Sequence, residues 1–269
     1  MQALLIKMLS RLGSHSNQKV YLFHGANRRS KIDEADMKRM TVKAVVFDLD
    51  GTLTGFNIDQ KTVRAEVRSF LVSIGVPASV LSSNESVFEM LKKTEIYMKN
   101  NAKTMRAMTE ARERALAIAE KFEMEAAKTT DLFPGAEETL KLLREMALKL
   151  GLCTINSEKS TNYVLKRFKI ADYFDAVISR NKVKYVKPNT EHLEAVLKAL
   201  GVGPEETVVV GDSTVDMRCA SEMKAIAVGI PTGVSSPKEL ISSGANYFVT
   251  SISDLPRLIE CMNKGPQNE

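Results

Sequence analysis

The chain has 269 residues, 44% hydrophobic and 26% charged, with a net charge of +5 and three cysteines. This is the composition of an ordinary globular protein with room for a core domain and a smaller partner, and the lack of any apolar run of 18 residues excludes a membrane-spanning helix. The charge does not mark a nucleic-acid surface: residues 1–40 hold eight Lys/Arg and three Asp/Glu, the rest holds 30 of each, and no basic–aromatic interleaving of the single-strand-binding kind occurs.

Residues 1–31 contain no acid, while Lys7, Arg11, Lys19, Arg28, Arg29 and Lys31 are spread through them. Segment 1–40 therefore stands apart from the fold that follows. It reads as a disordered leader, or as an upstream stretch ahead of Met37 or Met40. The amphipathic spacing of MQALLIKMLSRL and the acid-poor composition also suit an organellar transit peptide. Cys153, Cys219 and Cys261 are widely spaced without a CxxC pattern, which points to free thiols in a reducing compartment. The expected location is the cytoplasm, or an organelle if 1–40 is a targeting segment.

Val42–Thr54, VKAVVFDLDGTLT, follows at once. The apolar run Ala44–Phe47 predicts a fully buried strand of a parallel sheet. Asp48 and Asp50 are two apart, so both leave the sheet's carboxyl edge on one side, where open α/β sheets place ligands. Two carboxylates that close repel unless a cation or proton is shared, and the hard cation with oxygen ligands is most simply Mg²⁺.

Residues 59–129 predict helices only. Val63, Val67, Phe70, Leu71 and Ile74 form one helix face, ended by Gly75–Pro77. Asn84 is the expected cap of a second helix with Val87, Met90, Leu91 and Met98 as its stripe. Thr104–Ala127 gives a third. Met90, Met98, Met105 and Met108 read as core of this insert, since Met fills gaps. Lys92, Lys99, Lys103 and Arg106 are solvated-face charges and candidates for substrate contact.

Alternating elements then return. A Pro-Gly turn and helix at LFPGAEETLKLLREM precede a strand at Leu150–Thr154, a helix at Ser160–Phe168, a strand at Asp175–Ile178 and a helix at Glu191–Leu200. A strand at Val208–Gly211, a helix at Thr214–Met223 and strands at Ala225–Gly229 and Tyr247–Thr250 complete the run. This βαβ alternation demands an α/β fold, a doubly wound parallel sheet with helices on both faces. The domains are 41–57 with 131–262 as core, 58–130 as helical insert, and 263–269 as polar tail.

The DxDGT string at Asp48–Thr52 resembles the first motif of the haloacid dehalogenase-like hydrolase superfamily, and three later segments resemble its other motifs in order. LGLCTINS ends at Thr154, Val186–Pro188 presents Lys187, and TVVVGDSTVDM presents Asp212 and Asp216. The resemblance covers nearly everything from Val42 to Ile259. It implies a Rossmann-like core with an inserted all-helical cap and a phosphatase that acts through an aspartyl-phosphate. Asp48 would be the nucleophile, Asp50 the general acid/base, Thr154 a hydrogen-bond donor to the transferring phosphoryl, and Lys187 its counter-charge. Asp48, the backbone carbonyl of Asp50, and Asp212 would hold Mg²⁺. Asp216 would support them through metal-bound water or the neighbouring lysine.

Within that superfamily, Asp50 argues against dehalogenation, because breaking a carbon–halogen bond needs no acid on the leaving group. Asp212, Asp216 and the following VGIPTGVSSPKELISSGANYF look most like the phosphoglycolate phosphatase group, although Thr54–Gly55–Phe56 stands where many helical-cap members carry an acid. The implied partner is a small phosphorylated metabolite, with 2-phosphoglycolate the candidate that the resemblance suggests. A sugar phosphomutase of the same branch is the nearest alternative, and a receiver-like or non-catalytic phosphate-binding protein a more distant one. Cys153, beside Thr154 in a predicted buried strand, reads as core. The sequence leaves the oligomeric state open.

Overall fold

The computed structural model describes residues 21–23, as backbone only, and 40–264 in full. The strands are β1 (Tyr21–Phe23), β2 (Ala44–Phe47), β3 (Lys149–Cys153), β4 (Ala176–Ile178), β5 (Thr207–Gly211), β6 (Ile226–Gly229) and β7 (Tyr247–Val249). They form one sheet in the order β1-β7-β6-β5-β2-β3-β4, and every adjacent pair is parallel. The expected doubly wound parallel fold is what the chain adopts. β2 and β6 are buried along their whole length and β5 likewise, which is why the strands are near-continuous runs of Val, Ile and Ala rather than alternating patterns.

Outside residues 57–129 the helices are α4 (Ala136–Glu145), α5 (Glu158–Arg167), α6 (Thr190–Leu200), α7 (Thr214–Met223), α8 (Pro237–Ser242) and α9 (Leu255–Lys264). Leu193, Val196, Leu197 and Leu200 of α6 join Met217 and Ala220 of α7 in a core over Val46, Val209 and Phe248. α8 and α9 were not among the predicted elements. α9 buries Leu255, Leu258, Ile259 and Met262, a helical spacing. Asn263 and Lys264, expected in the polar tail, lie in α9 instead, and the Asn263 side-chain oxygen accepts the Val42 N–H at 2.8 Å. Residues 265–269 lie outside the described residues.

Tyr21–Phe23 pair with Tyr247–Val249 at the sheet edge, so segment 1–40, expected to lie apart from the fold, contributes one edge strand. The leader and transit-peptide readings of the other residues up to 39 fall outside the described residues.

A second compact unit comprises 57–129 together with 159–164. Residues 59–129 contain helices and no strand, as expected, with α1 (Gln60–Ser73), α2 (Val87–Asn100) and α3 (Met105–Thr129) and one short 3₁₀ turn at Ala78–Val80. Val63, Val67 and Leu71 of α1, Met90 and Leu91 of α2, and Ala115 and Ala119 of α3 form its core. Two expectations are corrected here. The α2 cap is Ser86 rather than Asn84, because Ser86 and Glu89 close a reciprocal capping box. The methionine stripe is split: Met90 and Met98 are buried, but Met105 begins α3 and is 70% exposed.

Candidate active site

β2 lies between β3 and β5, so the chain leaves it toward one side and later returns on the other. The carboxyl ends of β2, β3 and β5 therefore open on the crevice of a topological switch point. Asp48 is the first residue past β2, and its N–H donates to the Val210 carbonyl at 3.0 Å, so the strand pairing holds its backbone. A tight turn follows, in which Leu53 and Thr54 N–H groups both donate to the Leu49 carbonyl. Gly51 has φ +85°, and a β carbon there would stand 2.6 Å from the Asp212 carboxyl. Only glycine lets this turn close onto Asp212.

Lys187 is buried in the irregular segment ahead of α6. Its Nζ donates to Asp48 Oδ1 at 2.8 Å, Asp216 Oδ1 at 2.5 Å and the Cys153 carbonyl at 2.6 Å. An ammonium has three donors, and all three are used. Asp212 follows β5 and is 1% exposed. Its Oδ2 accepts the Val234 N–H at 2.8 Å and its Oδ1 the Thr52 hydroxyl at 3.4 Å. Asp216 sits in the first turn of α7, where Ser213 is the N-cap. The Ser213 N–H donates to Asp216 Oδ2 and the Asp216 N–H to Ser213 Oγ, which closes a capping box, and the Ser213 hydroxyl also donates to Asp216 Oδ2.

The structure thus brings four of the six sequence candidates, Asp48, Lys187, Asp212 and Asp216, to one place. Asp48, Asp212 and Asp216 each offer a carboxylate oxygen, and these oxygens lie within 4.8 Å of one another. Asp216, one of whose two expected partners was the lysine, bonds Lys187. Thr154 is buried just past β3, with its N–H on the Ile178 carbonyl at 3.1 Å. Asp50 turns to a different set of partners: Oδ1 accepts the Thr54 hydroxyl at 3.1 Å, and Oδ2 accepts Asn156 Nδ2 at 2.6 Å. Asn156 in turn donates its N–H to Thr154 Oγ1 at 3.2 Å. Cys153 is buried, and burial pushes its thiol above its ordinary pKa, which suits a core residue rather than a nucleophile.

Sequence reasoning passed over Asn156, Thr52, Ser213 and the buried His192. Ser213 had a signal, since Ser-x-x-Asp before an apolar run resembles a capping box. Asn156 had none, because its partner lies 106 residues away in sequence.

The electrostatics decide what this cluster can hold. Burial raises the Asp48 carboxyl, with Asp216 and Asp212 adding to the effect against Lys187. Burial, reinforced by Asp216, pushes Asp212 up to about 7. Burial alone would depress the Lys187 ammonium, but Asp216 and Asp48 reverse this and hold it charged. When all three carboxylates are ionised, the single ammonium leaves two negative charges without a counter-charge, on groups of which Asp212 and Asp216 are buried. An all-oxygen donor set with that deficit fits a hard divalent cation.

Comparison with known proteins follows the same line. The family description "haloacid dehalogenase-like hydrolase" matches residues 42–223. The chain is 26% identical over 225 residues to phosphoglycolate phosphatase 1 of Pseudomonas aeruginosa, covering 79% of this chain and 78% of that protein. It is 25% identical over 227 residues to pyrophosphatase PpaX of Bacillus mycoides, covering 83% and 100%. Among solved structures, a hydrolase from Pseudomonas syringae superposes with a TM-score of 0.58 at 24% identity, over 81% of this chain and 98% of that one. A β-phosphoglucomutase from Clostridium difficile gives 0.60 at 23% identity, over 83% and 98%; these two likenesses show the shared fold.

Proposed function

Because the chain belongs to the haloacid dehalogenase-like hydrolases, with the family match spanning residues 42–223, we propose that it is a Mg²⁺-dependent phosphatase of small phosphomonoesters. The reading rests chiefly on one observation: a buried lysine joins Asp48 to Asp216, and Asp212 stands beside them. Asp48 and Asp212 would hold the cation, with Asp216 in reach of it. When bound, the cation cancels charge repulsion between a phosphate dianion and a carboxylate.

Asp48 attacks phosphorus and forms an aspartyl-phosphate while the bond to the leaving oxygen breaks. Lys187 neutralises charge at the phosphoryl oxygens, and the Thr154 hydroxyl donates to one of them. Asp50 protonates the leaving oxygen, then takes a proton from the water that attacks the aspartyl-phosphate. Inorganic phosphate leaves and Asp48 is restored. Splitting the displacement in two lets one acid/base serve both halves. The Thr54 hydroxyl and Asn156 amide hold the Asp50 carboxylate between them.

Relatives named phosphoglycolate phosphatase and pyrophosphatase PpaX place 2-phosphoglycolate and pyrophosphate first on the panel that tests this reading. Sugar phosphates, nucleotides and a phosphoprotein complete it. Release of inorganic phosphate is expected from the small metabolites and not from the phosphoprotein. It should vanish in chelator and return with Mg²⁺, while Ca²⁺, which prefers more ligands at longer range, should inhibit. Full activity in excess chelator would remove the metal from the reading. Isomerisation of a sugar phosphate without net phosphate release would make the protein a mutase instead.

A further inference from the structure

The chemistry above leaves a buried imidazole unused. His192 lies in the first turn of α6 and is completely buried, next to the core residues Leu193, Val196 and Leu197. An aliphatic side chain would serve that core at lower cost, since a buried polar ring must find partners for both nitrogens. His192 finds both. The Lys187 N–H donates to Nδ1 at 3.3 Å, and Nε2 meets the Ile178 carbonyl at 3.1 Å. Because one partner is a fixed donor and the other a fixed acceptor, only the neutral ring with its proton on Nε2 satisfies both. Burial and the Lys187 charge depress its pKa to about 3, so that state persists across the working range.

The carbonyl it reaches is shared. Ile178 also accepts the Thr154 N–H at 3.1 Å. One chain of hydrogen bonds therefore runs from the Lys187 backbone through the imidazole and the last residue of β4 to the Thr154 backbone. Lys187 itself belongs to no strand or helix, and its backbone N–H is bonded to this ring.

Resting on the phosphatase reading, we propose that His192 is a positioning residue for the phosphoryl site. Its neutral imidazole locks the Lys187 segment to the carboxyl end of β4, so the ammonium and the Thr154 hydroxyl meet a phosphoryl group in one rigid frame. Removing the ring would leave a buried N–H unpaired and the lysine's backbone free to shift. A displacement of about 1 Å in a positioning group can cost on the order of 10²-fold in rate.

Four enzymes test this: wild type, His192→Leu, His192→Asn and His192→Gln. Asn places an oxygen where Nδ1 accepts the Lys187 N–H, whereas Gln reproduces only the donor to Ile178. The expected order of kcat/KM is wild type, then Asn, then Gln and Leu, with the last two about 10–100-fold down and the loss mainly in kcat. Calorimetric binding of orthophosphate with Mg²⁺ should weaken in the same order. If Leu fails to fold, the Asn–Gln comparison carries the test. In the wild type, ¹⁵N NMR should show His192 neutral with its proton on Nε2 at pH 6–8. A wild type that releases no phosphate would overturn the phosphatase reading, while the NMR and phosphate-binding arms would still decide the role of His192. Asn and Gln variants with equal activity and equal phosphate binding, or a ring protonated on Nδ1, would overturn the positioning role.

Discussion

Asp48, Asp212 and Asp216 crowd around the buried Lys187 ammonium. That arrangement costs stability when no cation is present, because buried like charges repel and each has lost its hydration. Asp212→Asn should therefore stabilise the chelated protein by on the order of 1–3 kcal/mol, seen as a raised melting temperature, and abolish the further rise that Mg²⁺ gives the wild type. Thermal unfolding with and without Mg²⁺ checks both halves; a lowered chelated melting temperature would mean that Asp212 is held by its hydrogen bonds more than it is strained by charge. The paired acids can be separated chemically. Asp48→Asn should yield neither product nor covalent adduct. Asp50→Asn should release a burst of nitrophenolate from p-nitrophenyl phosphate, whose good leaving group needs little acid help, then stall as an aspartyl-phosphate visible by mass spectrometry of acid-quenched protein. Steady turnover without a trapped phosphoryl group would show that another residue is the base. His192 gives a pH prediction of known sign. Its folded pKa is about 3 against an ordinary 6.5, so the stability it contributes is complete above pH 6.5 and is lost as pH falls from about 6.5 toward 3. The slope is at most about 1.4 kcal/mol per pH unit, and melting temperatures of His192→Asn should fall less steeply over that range. The acids and the lysine were legible because each sits where a predicted strand ends or a helix begins. Asn156 and His192 were not, since their worth lies in partners brought near only by folding.

At the scale of elements, α3 buries Ala111, Ala115, Ala119 and Ala127 at every fourth residue, with Glu123 also buried in the row and accepting the Ser160 hydroxyl at 3.3 Å. Small residues at that spacing let α1 and α3 approach closely, and Arg114 covers Phe70 with its guanidinium 4.8 Å from the ring centre. Ala115 is completely buried within the unit's core. Ala115→Leu should destabilise by about 1–3 kcal/mol through overpacking, read as a lower midpoint in urea; an unchanged midpoint would mean that this helix contact is loose. Helix existence and apolar face were readable here from the 3.6-residue period. The end of α2 nearer Asn84 was misplaced because Ser and Asn both cap helices, and the reciprocal Glu89 bond decides for Ser86. Met105 was misassigned because its spacing from Met98 crosses a helix boundary, where periodicity carries no phase. α8 spans only six residues, too short for a periodic signal.

At the scale of the whole molecule, β1 is separated from β2 in the sheet order by three strands, β7, β6 and β5. Removing residues 1–39 should expose the edge of β7 and lower stability by about 1 kcal/mol, the scale of a few ladder hydrogen bonds, while kcat stays within about twofold. A large fall in kcat would show that the segment reaches the catalytic crevice. By itself the sequence determined the parallel α/β architecture, the helical insert and the identity of the charged residues, because strand and helix periodicity and the order of short motifs are local properties. The tertiary structure alone decided which donors hold Asp50, which ring nitrogen of His192 carries the proton and that Asp216 shares Lys187 with Asp48. Those depend on hydrogen bonds between residues 4 to 139 positions apart, and on a burial that makes an unpaired charge or polar group expensive. Distance in sequence conceals both, and folding supplies both.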